Sequence, residues 1–122
     1  MSSRRLKGLR VLVVEDEALV AMLVEDTLQA LGCICVGPAG SVAQALDLLE
    51  GAAVDLALLD VNLGGGESSY PVADALVARG IRFIFVTGYG APGVDRRYDP
   101  AQVLQKPFDV RELAQAIAAG LD

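Results

Sequence analysis

Apolar residues gather along this chain in two kinds of pattern. Three runs are short and almost uninterrupted: Leu9 to Glu15, Val54 to Asp60 and Ile81 to Thr87. They are too evenly apolar for strands with one wet face and read as parallel strands covered on both sides. Shorter runs at Cys33 to Gly37, where Pro38 is expected to break the chain, and at Val103 to Lys106 bring the strand count to five. Between them the apolar positions fall at helical spacing. A first helix runs to about Leu31, with Val20, Leu23 or Val24, Thr27 or Leu28, and Leu31 inward and Gly32 at its end. A second opens at Ser41 with Gln44 three residues on, a capping box, and turns Val42, Ala45, Leu46 and Leu49 inward. A third carries Pro71 in its first turn, Ala73, Leu76 and Val77 inward, and Gly80 as its stop. The last opens on Asp109 and Glu112, an acidic capping box, with Leu113, Ala116 and Ile117 inward. Residues 88–101 (GYGAPGVDRRYDPA) hold glycines and prolines and no helical stripe, so the fourth helix region is expected to be irregular.

Strands alternating with helices imply right-handed crossovers and a doubly wound five-stranded parallel sheet flanked by helices, an α/β fold. The 122 residues suit one domain, read as 9–122 behind a basic N-terminal extension, 1–8. The chain is 53% hydrophobic but only 5% aromatic, which favours small side chains packed between helices and sheet over an aromatic-rich sandwich. A net charge of -6 argues against non-specific nucleic-acid binding. The chain has no histidine, which removes imidazole catalysis and any histidine metal site. No run approaches a membrane span, and the N-terminal run is too short for a signal peptide. Cys33 and Cys35 do not form a CxxC pair; they are expected on opposite faces of their strand, as core thiols of a cytoplasmic protein.

In a sheet of this kind the binding site lies beyond the C-terminal ends of the strands. Those ends carry Glu15 and Asp16, Asp60, Thr87 and Lys106. Clustered carboxylates repel unless a counter-ion is present, and magnesium accepts several of them while leaving oxygen sites for phosphate. Asp60 is then placed to act as a nucleophile towards phosphorus. Lys106 and the Thr87 hydroxyl are placed to neutralise and hydrogen-bond the phosphoryl oxygens. Taken singly, Asp16 is as readily a helix N-cap, Thr87 an ordinary strand-end residue and Lys106 a solvated charge. All of them at strand ends of one sheet is what favours a site.

VLVVEDE, LLDVNLGG, FVTGYG and LQKPF, in that order and spacing, resemble the receiver domain of bacterial response regulators over nearly the whole chain. The resemblance implies a flavodoxin-like sheet of order 2-1-3-4-5 and a single-domain regulator of two-component signalling. It implies that Glu15 and Asp16 hold magnesium, that Asp60 is phosphorylated, and that the backbone carbonyl of Asn62 is a further metal contact. Thr87 becomes the switch hydroxyl, Lys106 the lysine of the site, and Pro107 the site of a cis peptide. One departure is Val103, where the family usually carries an aromatic residue that swings inward. FVTGYG instead resembles an alphaproteobacterial subgroup with a phenylalanine–alanine–threonine–glycine motif, Val86 standing at the alanine. The switch is then expected to order 88–101 around Thr87 and Tyr89.

A GxGxxG match at Gly88 to Gly93 follows the fourth strand rather than the first and precedes no long apolar helix, which disfavours a dinucleotide site. The acidic loop after the first strand would repel a flavin phosphate. Asn62 stands where an aspartate-dependent phosphatase would want its acid–base. The chain is therefore not expected to be an enzyme beyond catalysing its own phosphorylation and dephosphorylation. Its partners are expected to be a histidine kinase or histidine phosphotransfer protein, docking on the outward face of the first helix and the loops near the site, and a downstream protein. With the last helix ending near residue 122, output is expected through protein contacts or as a phosphate sink. The rival of another class is a receiver-like interaction module that is never phosphorylated. Arg96, Arg97 and Tyr98 are read as a solvated loop, with a contribution to docking as the alternative.

Overall fold

The computed structural model describes residues 6–88, 94, 95, 97, 98 and 103–119. Its main sheet has five parallel strands: β1 (Arg10–Val14), β2 (Ile34–Ala39), β3 (Leu56–Asp60), β6 (Arg82–Thr87) and β7 (Val103–Gln105). Their spatial order is β2-β1-β3-β6-β7, the expected 2-1-3-4-5 once the strands of this sheet are counted in sequence. Among the described residues four helices cover it: α1 (Ala18–Ala30), α2 (Val42–Gly51), α3 (Tyr70–Ala78) and α4 (Val110–Ala118).

Strand pleating divides the core into two layers. Leu12, Val14, Ala57, Leu59, Phe83 and Phe85 point to one face and pack with residues of α2 and α3, such as Ala45, Leu49 and Leu76. Val11, Val13, Leu56, Leu58, Ile84 and Val86 point to the other and meet α1 and α4 through Val24, Leu28, Leu113 and Ile117. Successive residues alternate faces with a period of two, so a strand buried on both sides must be apolar throughout. At the sheet edge away from the strand C-termini, the Arg82 guanidinium donates to the carbonyls of Ile117 and Ala116 at 2.7 and 2.6 Å, satisfying the open end of α4.

Several local expectations need correction. Pro38 does not break β2. The strand continues to Ala39, and between Leu12 and Val14 of β1 its register slips by one residue. Gly37 makes the slip possible: its φ is +98°, and a Cβ there would meet the Ala39 nitrogen at 2.9 Å. Val77 is exposed, and Val72 takes the inward position on α3 instead. On α1 the open alternatives resolve to Val24 and Leu28, which are buried together with Ala21, while Leu23 is exposed. The Ser41 capping box is half made: Ser41 Oγ accepts from Gln44, while the Gln44 carboxamide reaches the amide of Gly40. The Asp109–Glu112 box is complete, at 2.8 and 3.3 Å. Cys33 and Cys35 pack against the same layer, as residues two apart in an extended chain do, and both are free thiols. A small antiparallel hairpin, β4 (Asn62–Leu63) and β5 (Glu67–Ser68), follows β3 and had no signal in the periodicity.

Most of 88–101, including Tyr89 and Arg96, lies outside the described residues, so the expected irregularity there does too. Tyr98 is not a solvated loop residue. It is 9% exposed, its ring lies 4.9 Å from Phe85 and 5.4 Å from Tyr70, and its hydroxyl donates to Asp74 Oδ1 at 2.9 Å. Arg97 covers that ring at 4.7 Å and reaches Asp74 at 3.4 Å. Burial, then the Asp74 hydrogen bond, pushes the Tyr98 phenol up to about 12. Its contribution to stability is therefore complete below the ordinary tyrosine value of about 10 and is lost as pH rises towards 12. Tyr98→Phe should lower the unfolding free energy by about 1 kcal/mol at neutral pH, read from urea melts. The same variant should lose less stability than wild type between pH 10 and about 12.

Candidate functional site

Strands β1, β3, β6 and β7 end together, and their last side chains meet. Glu15 follows β1 and is buried; its amide donates to the Ala39 carbonyl at 2.9 Å, so the passage of β2 through Pro38 fixes its backbone. Asp60 ends β3 with a side chain 13% exposed. Thr87 ends β6, is buried, and its carbonyl accepts from the Lys106 amide at 2.9 Å. Lys106 follows β7 and turns its ammonium into the group, 2.9 Å from Glu15 Oε1 and 3.5 Å from Asp60 Oδ2. The Lys106–Pro107 peptide bond is cis.

Asp16 is exposed, and it does not cap α1. The N-cap position belongs to Glu17, whose side chain makes no capping bond. Asp16 instead reaches across to the hairpin, where its Oδ2 accepts from the Gly64 amide at 2.9 Å. One carboxylate oxygen from each of Glu15, Asp16 and Asp60 lies within 4.8 Å of the others. Asn62 lies two residues past Asp60 at the exposed start of β4. Val103 opens β7 opposite Phe85 and is half-buried. Tyr89 lies outside the described residues.

The electrostatics are those of a site short of positive charge. Three carboxylates face one ammonium group among the described residues. The floor under Asp60 is apolar, made by Val13, Leu58 and Val86. Desolvation there, then the hydrogen bond and charge of Glu15, raises the Asp60 carboxyl to about 6, and Lys106 only partly opposes this. Burial alone would lower the Lys106 ammonium, but its bond to Glu15 and the charges of Asp60 and Glu15 raise it overall. A hard divalent cation fits such a donor set: oxygen ligands only, converging, with negative charge in excess.

Residues 11–118 match the response regulator receiver domain. The chain belongs to that family. SdrG from Sphingomonas melonis Fr1 is 48% identical, with 100% of both chains covered and a TM-score of 0.84. SdrG from Pseudomonas melonis Fr1, solved in a BeF3-activated conformation, is 50% identical over 93% of this chain and 96% of that one, with a TM-score of 0.80. Among curated proteins, the phyllosphere-induced regulator PhyR of Methylorubrum extorquens is 31% identical over 91% of this chain. The receiver domain spans about half the length of the curated relatives it matches: 43% of PhyR and 54% of the transcriptional regulatory protein PdtaR of Mycobacterium tuberculosis. No described helix is long and apolar enough to cross a membrane.

Two site residues had no specific signal in the sequence. Gly64 stood unexplained in a run of three glycines, and Glu67 carried no motif. Glu67 Oε1 accepts from the Val42 amide at 3.0 Å, tying the hairpin to the N-terminus of α2. Neither contact follows from local spacing, because each partner is more than twenty residues away.

With Asp60 crowded by Glu15 on an apolar floor, removing its charge should stabilise the metal-free fold. Asp60→Asn is expected to raise the unfolding free energy on the order of 1 kcal/mol in chelator at pH 7, with Lys106 still bound to Glu15. Saturating magnesium should narrow the gap by stabilising wild type preferentially. Both effects are read from thermal melts.

Proposed function

We propose that this receiver domain takes a phosphoryl group from a phosphohistidine onto Asp60 and passes the signal on through protein contacts or by draining phosphoryl groups from a shared relay. The observation that carries the reading is the juxtaposition of Asp60 with two further carboxylates and the Lys106 ammonium at the open end of a parallel sheet.

Glu15, Asp16, Asp60 and the Asn62 carbonyl would hold magnesium, which supplies positive charge against the phosphoryl oxygens. Asp60 provides the nucleophile: one carboxylate oxygen forms the bond to phosphorus as the bond to the donor's imidazole nitrogen breaks, giving an acyl phosphate. With its ammonium 3.5 Å from Asp60, Lys106 is placed to follow the developing charge onto a phosphoryl oxygen. Thr87, at the end of the adjacent strand, provides a hydroxyl for another. Asn62 supplies no carboxylate two residues past Asp60, so it gives water no strong base there. Tyr89, two residues past Thr87, is assigned with it to the switch.

The donor side follows from surface chemistry. Leu19, Met22 and Leu23 on α1 are 75%, 54% and 66% exposed. Beside them an apolar groove of about 220 Å³, lined by Val20, Leu23, Thr27, Pro107 and Phe108, runs to Lys106. A helix carrying the phosphohistidine, packed there, would bring its imidazole to the site. The partner class is a histidine kinase or histidine phosphotransfer protein.

Incubation with magnesium and a small phosphodonor such as acetyl phosphate tests the acceptor. Wild type should gain the mass of one phosphoryl group, and Asp60→Asn should gain none. No gain in wild type, with magnesium bound, would favour the unphosphorylated interaction module instead.

A further inference from the structure

The glycine run after Asp60 divides into two parts with different physics. Gly65 and Gly66 both have positive φ, +73° and +79°, and they make the turn of the β4–β5 hairpin. Gly64 needs no such backbone. What sets it apart is close approach: a Cβ built on it would lie 2.9 Å from Asp16 Oδ2, the oxygen that accepts its amide hydrogen at the same distance. Nothing lies within 4 Å of a Cβ at Gly65 or Gly66.

We infer that Gly64 is a positioning residue for magnesium: its amide hydrogen holds one oxygen of Asp16, setting the plane of a carboxylate that is otherwise on the surface. The inference rests on the reading of Glu15, Asp16 and Asp60 as the metal site. Glu15 is fixed by burial and by Lys106, and Asp60 by its strand. Asp16 has neither restraint, and the amide from the hairpin takes their place. The hairpin that carries that amide is itself anchored, by Glu67 on the Val42 amide and by the Ser69 amide on the Val61 carbonyl at 3.0 Å. Oriented ligands lose less freedom when a cation binds, and partners one shell away from a metal are worth a measurable part of its affinity.

The close approach also provides a selective test. In Gly64→Ala the new methyl meets only the end of a flexible, exposed side chain, so Asp16 swings away while the backbone keeps its path. Gly51→Ala, at the last position of α2, is the control for the substitution itself, because a Cβ there meets nothing within 4 Å. By isothermal calorimetry, Gly64→Ala should bind magnesium about 10-fold or more weakly than wild type and Gly51→Ala, with an unchanged melting temperature in chelator. Its phosphorylation by acetyl phosphate should be slow at low magnesium and recover at saturating magnesium, a shift in metal dependence rather than in maximal rate. In wild type, the Gly64 amide proton should keep its hydrogen-bonded chemical shift as magnesium is added, a readout that needs no variant. Equal or tighter magnesium binding by Gly64→Ala, or loss of that amide bond in wild type at saturating magnesium, would overturn the inference. If wild type itself binds no magnesium, the metal-site reading fails first, and the inference goes with it.

Discussion

Excess negative charge on a buried floor is the constraint from which the rest of the site follows. Three carboxylates meet at the open end of the sheet, and Lys106 supplies the one ammonium that faces them among the described residues. Water cannot dissipate the repulsion at Asp60, because Val13, Leu58 and Val86 lie beneath it. The metal-free site therefore stores an imbalance that a cation, a proton or a neutral side chain would relieve. Phosphorylation of Asp60, as proposed, would make the imbalance larger and a cation and Lys106 more important. The crowding of Asp60 by Glu15 and the proposed need of a phosphoryl group for positive partners are two sides of one electrostatic arrangement.

Holding the carboxylates against that repulsion takes long-range structure. Glu15 is held from β2 through the Ala39 carbonyl, and the register slip at Gly37 brings Ala39 there. Thr87 and Lys106 are joined by a backbone bond between the two strands that carry them. Asp16 is held from a hairpin that is in turn tied to α2. Glu15, Asp16 and Lys106 are thus each held by an element other than their own, while Asp60 is held by its own strand, and the rigidity of the two apolar layers is passed on to the charges.

How much of this was legible from the sequence depended on range. Apolar runs ending in Asp60 and Thr87 fixed the strands and the edge of the sheet where chemistry collects, because burial on both faces leaves an unmistakable pattern. The capping pair Asp109–Glu112 was readable because it is local. Pro38 was misread because the tolerance of an edge strand for proline depends on which neighbour it lacks, and a sequence does not show that. Val77 was misassigned, and the choice between Leu23 and Val24 stayed open, because a helix with apolar residues all round offers several stripes, and packing chooses among them. The Gly64–Asp16 contact spans 48 positions and involves a backbone amide, which has no signature in composition or period.

The two borders of the sheet differ from its interior in a way that bears on how copies of the protein can meet. On one side β2 carries Pro38, which has no amide hydrogen to offer, and a register slip beside it. On the other, β7 is three residues long. Neither border presents the flat row of donors and acceptors that an additional strand would need to lengthen the ladder. Among the described residues, both features disfavour strand-to-strand growth. The exposed apolar side chains of the described residues lie instead mostly on the helices, Leu19, Met22 and Leu23 on α1 among them.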